Sequence, residues 1–407
     1  MRFPKPIIDL LVLLLLIQWS DVDAGTQRSK PSDPAKIETL VKQLRSPSFR
    51  ARLQAEADCR EAGGEMLPAL VEALKSPDPE LRRRAQLLIE RIEDDELSES
   101  VDSFLAPGSK TELPGWSIVD ELVDDTPAFR LAYAHVLQGN TQLVRALSHP
   151  QRISAEIQRE LQNRNMLGTI PQGVSPYETA ALLLLLIHPE ADYSSDVSET
   201  ASRQVLAGVS QAEFAAEPHH SPAGAALEGG DVVIAQLLRA LTTRWITLSQ
   251  SGTSHDRLVA ATRLELPESV VPALEMIQQK NSPTLLGHAF VAVASYGGAE
   301  EMAVVETLLT DHFELNSSRG IGDKKTSSTQ IRDLALATLI EMTRQDPLTY
   351  GMGPFSRDEK NRLSGFPVGF EDEARRDAAF EKWNAWSAMH LRKFRSMPIN
   401  ASEGIRL

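Results

Sequence analysis

The side chains best suited to chemistry are two adjacent histidines, His219 and His220, with Glu213 and Glu217 close by in the sequence. Imidazole and carboxylate groups bind zinc, but a zinc site needs three or four ligands that the fold holds around one ion. Two neighbouring imidazoles on a loop rarely point at the same ion. The cluster therefore favours an exposed polar loop, and the sequence predicts no metal site.

Local signatures of catalysis are absent from the sequence. The chain contains no GxSxG, P-loop, HExxH or CxxC motif, any of which would indicate a nucleophile, a phosphate site or a metal. Gly320-Ile321-Gly322 lacks the third glycine and the preceding strand of a dinucleotide-binding fingerprint. We therefore predict a non-catalytic protein without a cofactor. The alternative is an enzyme or cofactor-handling protein, which a cleft of converging titratable groups within residues 94–266 would favour.

Two further candidates are the single cysteine and a pair of tryptophans. Cys59 cannot form an internal disulfide because the chain contains one cysteine, and it shares a helix face with Ala51 and Ala55. We expect a small buried thiol rather than a reactive one. Trp383 and Trp386 stand three residues apart on one helix face and could bind a ligand. We instead expect them to cover the open end of the fold, because terminal repeats need a cap.

Arginines supply the one pattern that indicates a binding surface. Arg52 and Arg82 are thirty residues apart within a repeated segment, and Arg83 follows directly. In a stacked array such residues would form a ladder of positive charge, so Arg52, Arg82 and Arg83 are candidate partner-binding residues. The alternative is structural, with Arg82 paired to Asp78 one turn earlier on the helix.

The elements that carry these arginines are two consecutive helical hairpins within residues 34–93. In the first helix of each hairpin, apolar residues recur at i, i+3, i+4 and i+7, which is the spacing of one helix face. The two hairpins match at an offset of thirty residues. The matching pairs include Ile37 with Leu67, Leu40 with Leu70, Val41 with Val71, Leu44 with Leu74, and Ala55 with Ala85. A unit that is written twice predicts a solenoid.

This repeat resembles the HEAT-like family, in which a Pro/Asp turn precedes an Arg and then a small residue of the second helix. The corresponding residues here are Pro77, Asp78, Arg82 and Ala85. The thirty-residue spacing is shorter than that of the longer HEAT repeat and is similar to the short repeats of phycobilisome-lyase-type proteins. The resemblance implies an armadillo-type superhelix whose second helices line the concave side. A lyase-type activity is implied by fold analogy alone.

The rest of the chain is predicted to be helical, with weaker periodicity. We expect an irregular helical region over residues 94–266, HEAT-like repeats over 267–345 with a loop at 312–329, and a C-terminal wrap and capping helix over 346–396. The segments 113–116, 130–133 and 330–337 are similar to segments of exported bacterial HEAT-type proteins. Aromatic residues are 5% of the chain, which favours close-packed helix pairs over a β-sandwich. The predicted class is therefore all-α, an α-solenoid with an irregular helical middle.

The N-terminus has the pattern of a signal peptide. Arg2 and Lys5 precede an unbroken apolar run over residues 10–17, and small residues follow. We predict a signal peptide over residues 1–24, cleavage between Ala24 and Gly25, and a polar linker over 25–33. The alternative is an uncleaved anchor, although a bilayer span needs about 20 apolar residues. We expect export to the periplasm, the cell envelope or the medium, with no membrane span after cleavage.

The charge of the chain limits its partners. Its formal net charge is −14 at pH 7, which argues against a nucleic-acid-binding protein. The predicted partner is a protein or an anionic envelope polymer, and the predicted function is a protein–protein interaction scaffold.

Overall fold

The computed structural model describes residues 34–138, 140–166, 175–192, 194–216, 229–248, 253–280, 283–316, 329–359, 361–366, 370 and 372–395. Several sequence predictions lie outside these residues: the signal peptide with its cleavage between Ala24 and Gly25, the linker 25–33, His219 and His220, and residues 320–322. By spatial contact the chain forms two units, which meet in sequence between Glu99 and Ser100.

Unit 1 is built of helical hairpins. Its helices are α1 (Pro34–Gln43), α2 (Phe49–Ala62), α3 (Leu67–Ala73) and α4 (Pro79–Leu105), whose residues from Ser100 onward belong to unit 2. A 3-10 turn, Gly63–Met66, connects α2 to α3. Helix α1 packs against α2 and α3, and the repeated apolar positions form the core. Its buried members are Leu40, Leu44, Ala55, Cys59, Met66, Leu70, Ala73, Leu81, Ala85, Leu88, Ile89 and Ile92. The two predicted helix pairs are therefore present.

Helix α4 is longer than the sequence predicts. The repeat was expected to end at Glu93, where an acidic run begins, but α4 continues to Leu105. Leu97, Val101 and Phe104 are buried, and their spacing continues one apolar stripe through the acidic segment. Asp94, within the run, is exposed, so its charge does not interrupt the helix.

Unit 2 is also helical. Its helices are α5 (Trp116–Asp120), α6 (Pro127–Leu137), α7 (Thr141–Ser148), α8 (Ile153–Met166), α9 (Pro176–Ile187), α10 (Ser195–Ala216), α11 (Gly229–Thr247), α12 (Ser254–Arg263), α13 (Val270–Gln279), α14 (Pro283–Tyr296), α15 (Ala299–Thr307), α16 (Ile331–Met342) and α17 (Glu373–Arg395). Helices dominate the described residues, so the predicted all-α class is confirmed.

Helix α9 organises the region that was predicted to be irregular. Every residue from Thr179 to Ile187 is buried, as expected for a helix that is apolar on all sides and enclosed by its neighbours. It contacts α6, α10 and α11. Of the residues that the structure describes, no helix combines the length and the apolar character needed to cross a membrane.

A glycine turn and an aromatic cluster begin unit 2. Gly115 has φ +80°, and a Cβ added there would lie 2.7 Å from the Tyr133 hydroxyl oxygen, so glycine is required for both reasons. Tyr133 donates a hydrogen bond to the Pro114 carbonyl. The ring of Trp116 lies edge-on to that of Phe104, with centroids 4.9 Å apart. The turn at residues 113–116 thus fixes the start of α5.

The C-terminal half of unit 2 shares one apolar core, to which α13, α14, α16 and α17 contribute. Short strands add to it: β1 (Glu314–Asn316) pairs antiparallel with β2 (Thr329–Gln330), and β3 (Ser356–Arg357) with β4 (Leu363–Gly365). The paired strands β1 and β2 stand at the two ends of the predicted loop 312–329, and residues 317–328 between them lie outside the described residues. The predicted wrap is ordered where it is described, because Phe355, Phe366 and Phe370 pack against the core.

Candidate functional site

Arg52 and Arg82 occupy equivalent positions and make the same contacts. Nη1 of Arg52 donates hydrogen bonds to the carbonyls of Ser46 at 2.8 Å and Pro47 at 3.0 Å. Nη1 of Arg82 donates to the carbonyls of Ser76 at 2.7 Å and Pro77 at 3.0 Å. Each arginine therefore holds the Ser-Pro turn that leads into its own helix, which gives a physical reason for the repeated Ser-Pro and Arg.

Arg82 has a structural role, as the alternative interpretation predicted, but its partners are the turn carbonyls and not Asp78. Asp78 accepts hydrogen bonds from the backbone N–H groups of Glu80 at 3.0 Å and Leu81 at 3.4 Å, and so caps α4. Its other oxygen lies 3.5 Å from Nε of Arg45. Asp78 is committed to the cap because α4 has unpaired N–H groups at its start. Arg82 uses the turn carbonyls instead.

Helices α2 and α4 are joined directly by ion pairs. Arg84 pairs with Glu56 across the two helices and with Glu80 on its own helix at 2.6 Å. Arg60 of α2 makes a bidentate contact with Asp95 of α4, with a shortest distance of 2.7 Å. The second helices of the two hairpins are therefore immediate neighbours, and their outward faces form one surface.

This surface, here called the α2–α4 face, carries exposed apolar side chains. Phe49 is 69% exposed, Leu53 55% and Leu87 41%. Arg50 and Arg83 are also exposed, and neither makes an ion pair with any residue that the structure describes. Leu53 and Arg83 are thirty residues apart and hold equivalent positions in the repeat. The α2–α4 face thus combines apolar area with unpaired positive charge.

The structure divides the three predicted partner-binding arginines. Arg83 lies on the α2–α4 face and is exposed, whereas Arg52 and Arg82 have guanidinium groups engaged by turn carbonyls. Sequence reasoning missed the apolar members of the face. Phe49 and Leu53 stand at i and i+4, on the side of α2 away from the buried Ala55, and this spacing was the available signal.

Unit 2 contains a small cavity in the region where converging titratable groups were sought. It is lined by Asn140, Leu143, Glu156, Glu178, Ala181, Leu182 and Leu185 and has a volume of about 30 Å³. Asn140 accepts a hydrogen bond from Leu143 N and caps α7, and Glu156 is paired with Arg159. Ligand pockets usually measure roughly 300–1,000 Å³, so this cavity has room for water rather than for a substrate.

Two arginines of unit 2 are almost fully buried. Arg257 is 1% exposed and pairs with Glu275 of α13, while its Nη1 donates to the Ile246 carbonyl of α11 at 2.9 Å. Arg376 has no exposed surface and holds Asp333 of α16 through two hydrogen bonds of 2.9 and 3.1 Å. Both arginines join helices within unit 2. Sequence reasoning gave neither a role.

The cysteine and the tryptophans lie in apolar surroundings. Cys59 is buried, and burial raises the pKa of its thiol to about 12, so at neutral pH it is a packed side chain rather than a nucleophile. Trp383 is 1% exposed within the core of unit 2. The ring of Trp386 is half-buried, lies 5.2 Å from that of Trp383 and stacks on His390. Trp383 is therefore part of the core of unit 2.

Within the described ranges, no group of three or more His, Cys, Asp or Glu side chains is placed to hold a metal ion. Comparison of the chain with models of protein families, with curated proteins and with solved structures found no match.

Proposed function

We propose that this protein is an exported, non-catalytic interaction scaffold, built as a HEAT-like α-solenoid, that binds an acidic partner on the second helices of residues 34–93. One observation carries the proposal: the α2–α4 face exposes Phe49, Leu53 and Leu87 beside Arg50 and Arg83, which have no ion-pair partner among the described residues. Exposed apolar area next to uncompensated charge is typical of a protein-binding surface.

The arginines have different tasks in this proposal. Arg83 contacts the partner, because it is exposed and free. Arg52 and Arg82 keep the Ser-Pro turns closed and so hold α2 and α4 at the angle that the face requires. The partner-binding set predicted from the sequence thus becomes one contact residue and two supporting residues.

Export is supported by the basic start and apolar run of residues 1–24. N-terminal sequencing of the exported protein should begin at Gly25 or within a few residues of it. Recovery of Met1 would show an uncleaved anchor.

The binding function is tested by cross-linked capture from the envelope fraction with the mature chain as bait. We expect the Arg50→Glu/Arg83→Glu variant to lose the principal captured protein. Lys36→Glu is the matched control, since Lys36 is exposed on the first helix of the same unit and should retain capture. Unchanged capture by the double variant, with helicity intact, would exclude the α2–α4 face as the binding surface.

A further inference from the structure

We propose that the α2–α4 face binds an extended peptide segment of its partner, in which an apolar side chain and a carboxylate are two or three residues apart. The inference rests on the proposed function and specifies the chemistry of the segment that the surface accepts. It follows from three observations: the apolar half of the face, its charged half, and the spacing between them.

The apolar half lies on α2. Phe49 and Leu53 are one helical turn apart, and both are more than half exposed. A helical residue and the one four positions later lie on the same side of the helix, so the two side chains form one continuous contact area. The guanidinium of Arg52 lies 5.8 Å from the centre of the Phe49 ring, which helps to hold the ring in place. This area accepts an apolar side chain.

The charged half lies on α4. Arg83 is exposed, and no residue of the described chain forms an ion pair with it. A guanidinium binds a carboxylate through two parallel hydrogen bonds. Leu87, one turn further along α4 and 41% exposed, gives that carboxylate an apolar neighbour and reduces its access to water. This half accepts a single Asp or Glu side chain.

The spacing between the halves sets the spacing in the segment. The ion pair of Arg84 with Glu56 shows that α2 and α4 are packed neighbours. The axes of packed helices are about 8–10 Å apart. An extended chain advances about 3.3 Å per residue, so a segment that crosses from α2 to α4 covers the distance in two or three residues.

A long polyanion fits this surface less well than a short peptide. Further along α4, Asp94 is exposed, and on α2, Glu61 is exposed. These carboxylates on the same two helices repel a polymer that carries negative charge along its whole length. Such a polymer would also leave Phe49 and Leu53 without an apolar partner.

The test uses fluorescence anisotropy of short labelled peptides with the mature chain. The probe carries Leu and Glu three residues apart; the comparison probes are polyglutamate and inorganic polyphosphate. We expect the Leu/Glu probe to bind at least about tenfold more tightly than polyglutamate. Arg83→Gln should weaken it by about tenfold or more, because the neutral amide cannot replace the charge-assisted, two-bond contact. Leu53→Gln should also weaken it. Lys36→Gln should leave it unchanged.

The outcomes separate this inference from the proposed function. If polyglutamate or polyphosphate binds as tightly as the Leu/Glu probe and Leu53→Gln changes nothing, the inference is wrong. If no probe binds while envelope capture still depends on Arg50 and Arg83, the inference is again wrong but the proposed function stands. If neither probe binding nor capture responds to these arginines, both are overturned.

Discussion

The two units of the chain use arginine at different depths. Unit 1 also has ion pairs between helices, made by Arg60 and Arg84, but both of these arginines keep exposed surface. In unit 1, Arg52 and Arg82 sit near the surface and donate to backbone carbonyls of the turns, and Arg83 is free. In unit 2, Arg257 and Arg376 are buried and form ion pairs between helices. A repeated hairpin can carry the same turn contact at every repeat without changing its core. The contacts of Arg257 and Arg376 differ from each other, and each joins its own pair of helices through a buried ion pair.

The largest expected change in stability comes from a substitution in the core of unit 2. Trp383→Ala should lower the free energy of unfolding by about 3–5 kcal/mol, because the ring fills a closed site. Met389→Ala, on the same helix at a position that is 72% exposed, should have little effect. Urea unfolding followed by helical circular dichroism measures both. Equal midpoints for the two variants would mean that Trp383 does not cover the core.

The next largest change in stability should follow from breaking the buried ion pair between Arg376 and Asp333. Arg376→Met leaves the carboxylate of Asp333 buried without its partner, which should cost about 3 kcal/mol. Arg375→Met changes the exposed neighbouring arginine and should shift stability by less than about 0.5 kcal/mol. The same urea titration compares them. If Arg376→Met had the same stability as the wild type, the ion pair would not stabilise the packing of α16 against α17.

The turn contacts of unit 1 should matter less. Arg52→Gln removes hydrogen bonds to Ser46 and Pro47 and should cost about 1 kcal/mol. Because Cys59 is the only cysteine and is buried, its alkylation rate reports opening of unit 1; we expect an increase of about fivefold. Arg50→Gln, two residues earlier, should leave the rate almost unchanged. Identical rates in the two variants would contradict the turn-holding role.

The smallest expected effect is a pH dependence of the stability of unit 2. Burial lowers the pKa of His188 below 6.5, and its Nδ1 accepts a hydrogen bond from Glu190 N at 3.2 Å. Below pH 6.5 the unfolded chain protonates His188 more readily than the folded chain does, so protonation favours unfolding. The free energy of unfolding should therefore be highest above pH 6.5 and should fall as the pH decreases from 6.5 to the lower pKa of folded His188. His188→Gln should flatten that part of the stability curve, and His288→Gln, at an exposed site, should not. Melting temperatures across this range measure the difference.

The sequence predicts local structure well where a residue's role is local. The helix pairs of residues 34–93, the buried Cys59 and the buried Trp383 follow from apolar spacing and side-chain type. The continuation of α4 past Glu93 was missed, because an acidic run hid the stripe of Leu97 and Val101. The pairs of Arg257 with Glu275 and Arg376 with Asp333 were not predictable, since they join residues whose proximity depends on how separate helices pack.

The sequence predicted only part of the candidate site, because the direction in which an arginine side chain points also depends on the folded structure. The repeat offset identified Arg52, Arg82 and Arg83, but it could not tell a side chain that faces its own turn from one that faces solvent. That distinction depends on the geometry of Ser46 and Ser76 at the turns.

The most direct test of the account is the dissociation constant of the Leu/Glu peptide for Arg83→Glu and Arg82→Glu, measured beside the Cys59 alkylation rate of each. The account predicts that Arg83→Glu weakens binding by about tenfold or more with alkylation unchanged, because Arg83 is a contact residue. It predicts that Arg82→Glu accelerates alkylation, because the turn at Ser76 and Pro77 loses its donor. Wild-type affinity in Arg83→Glu, or weakened binding in Arg82→Glu with alkylation unchanged, would contradict the division of roles between these adjacent arginines.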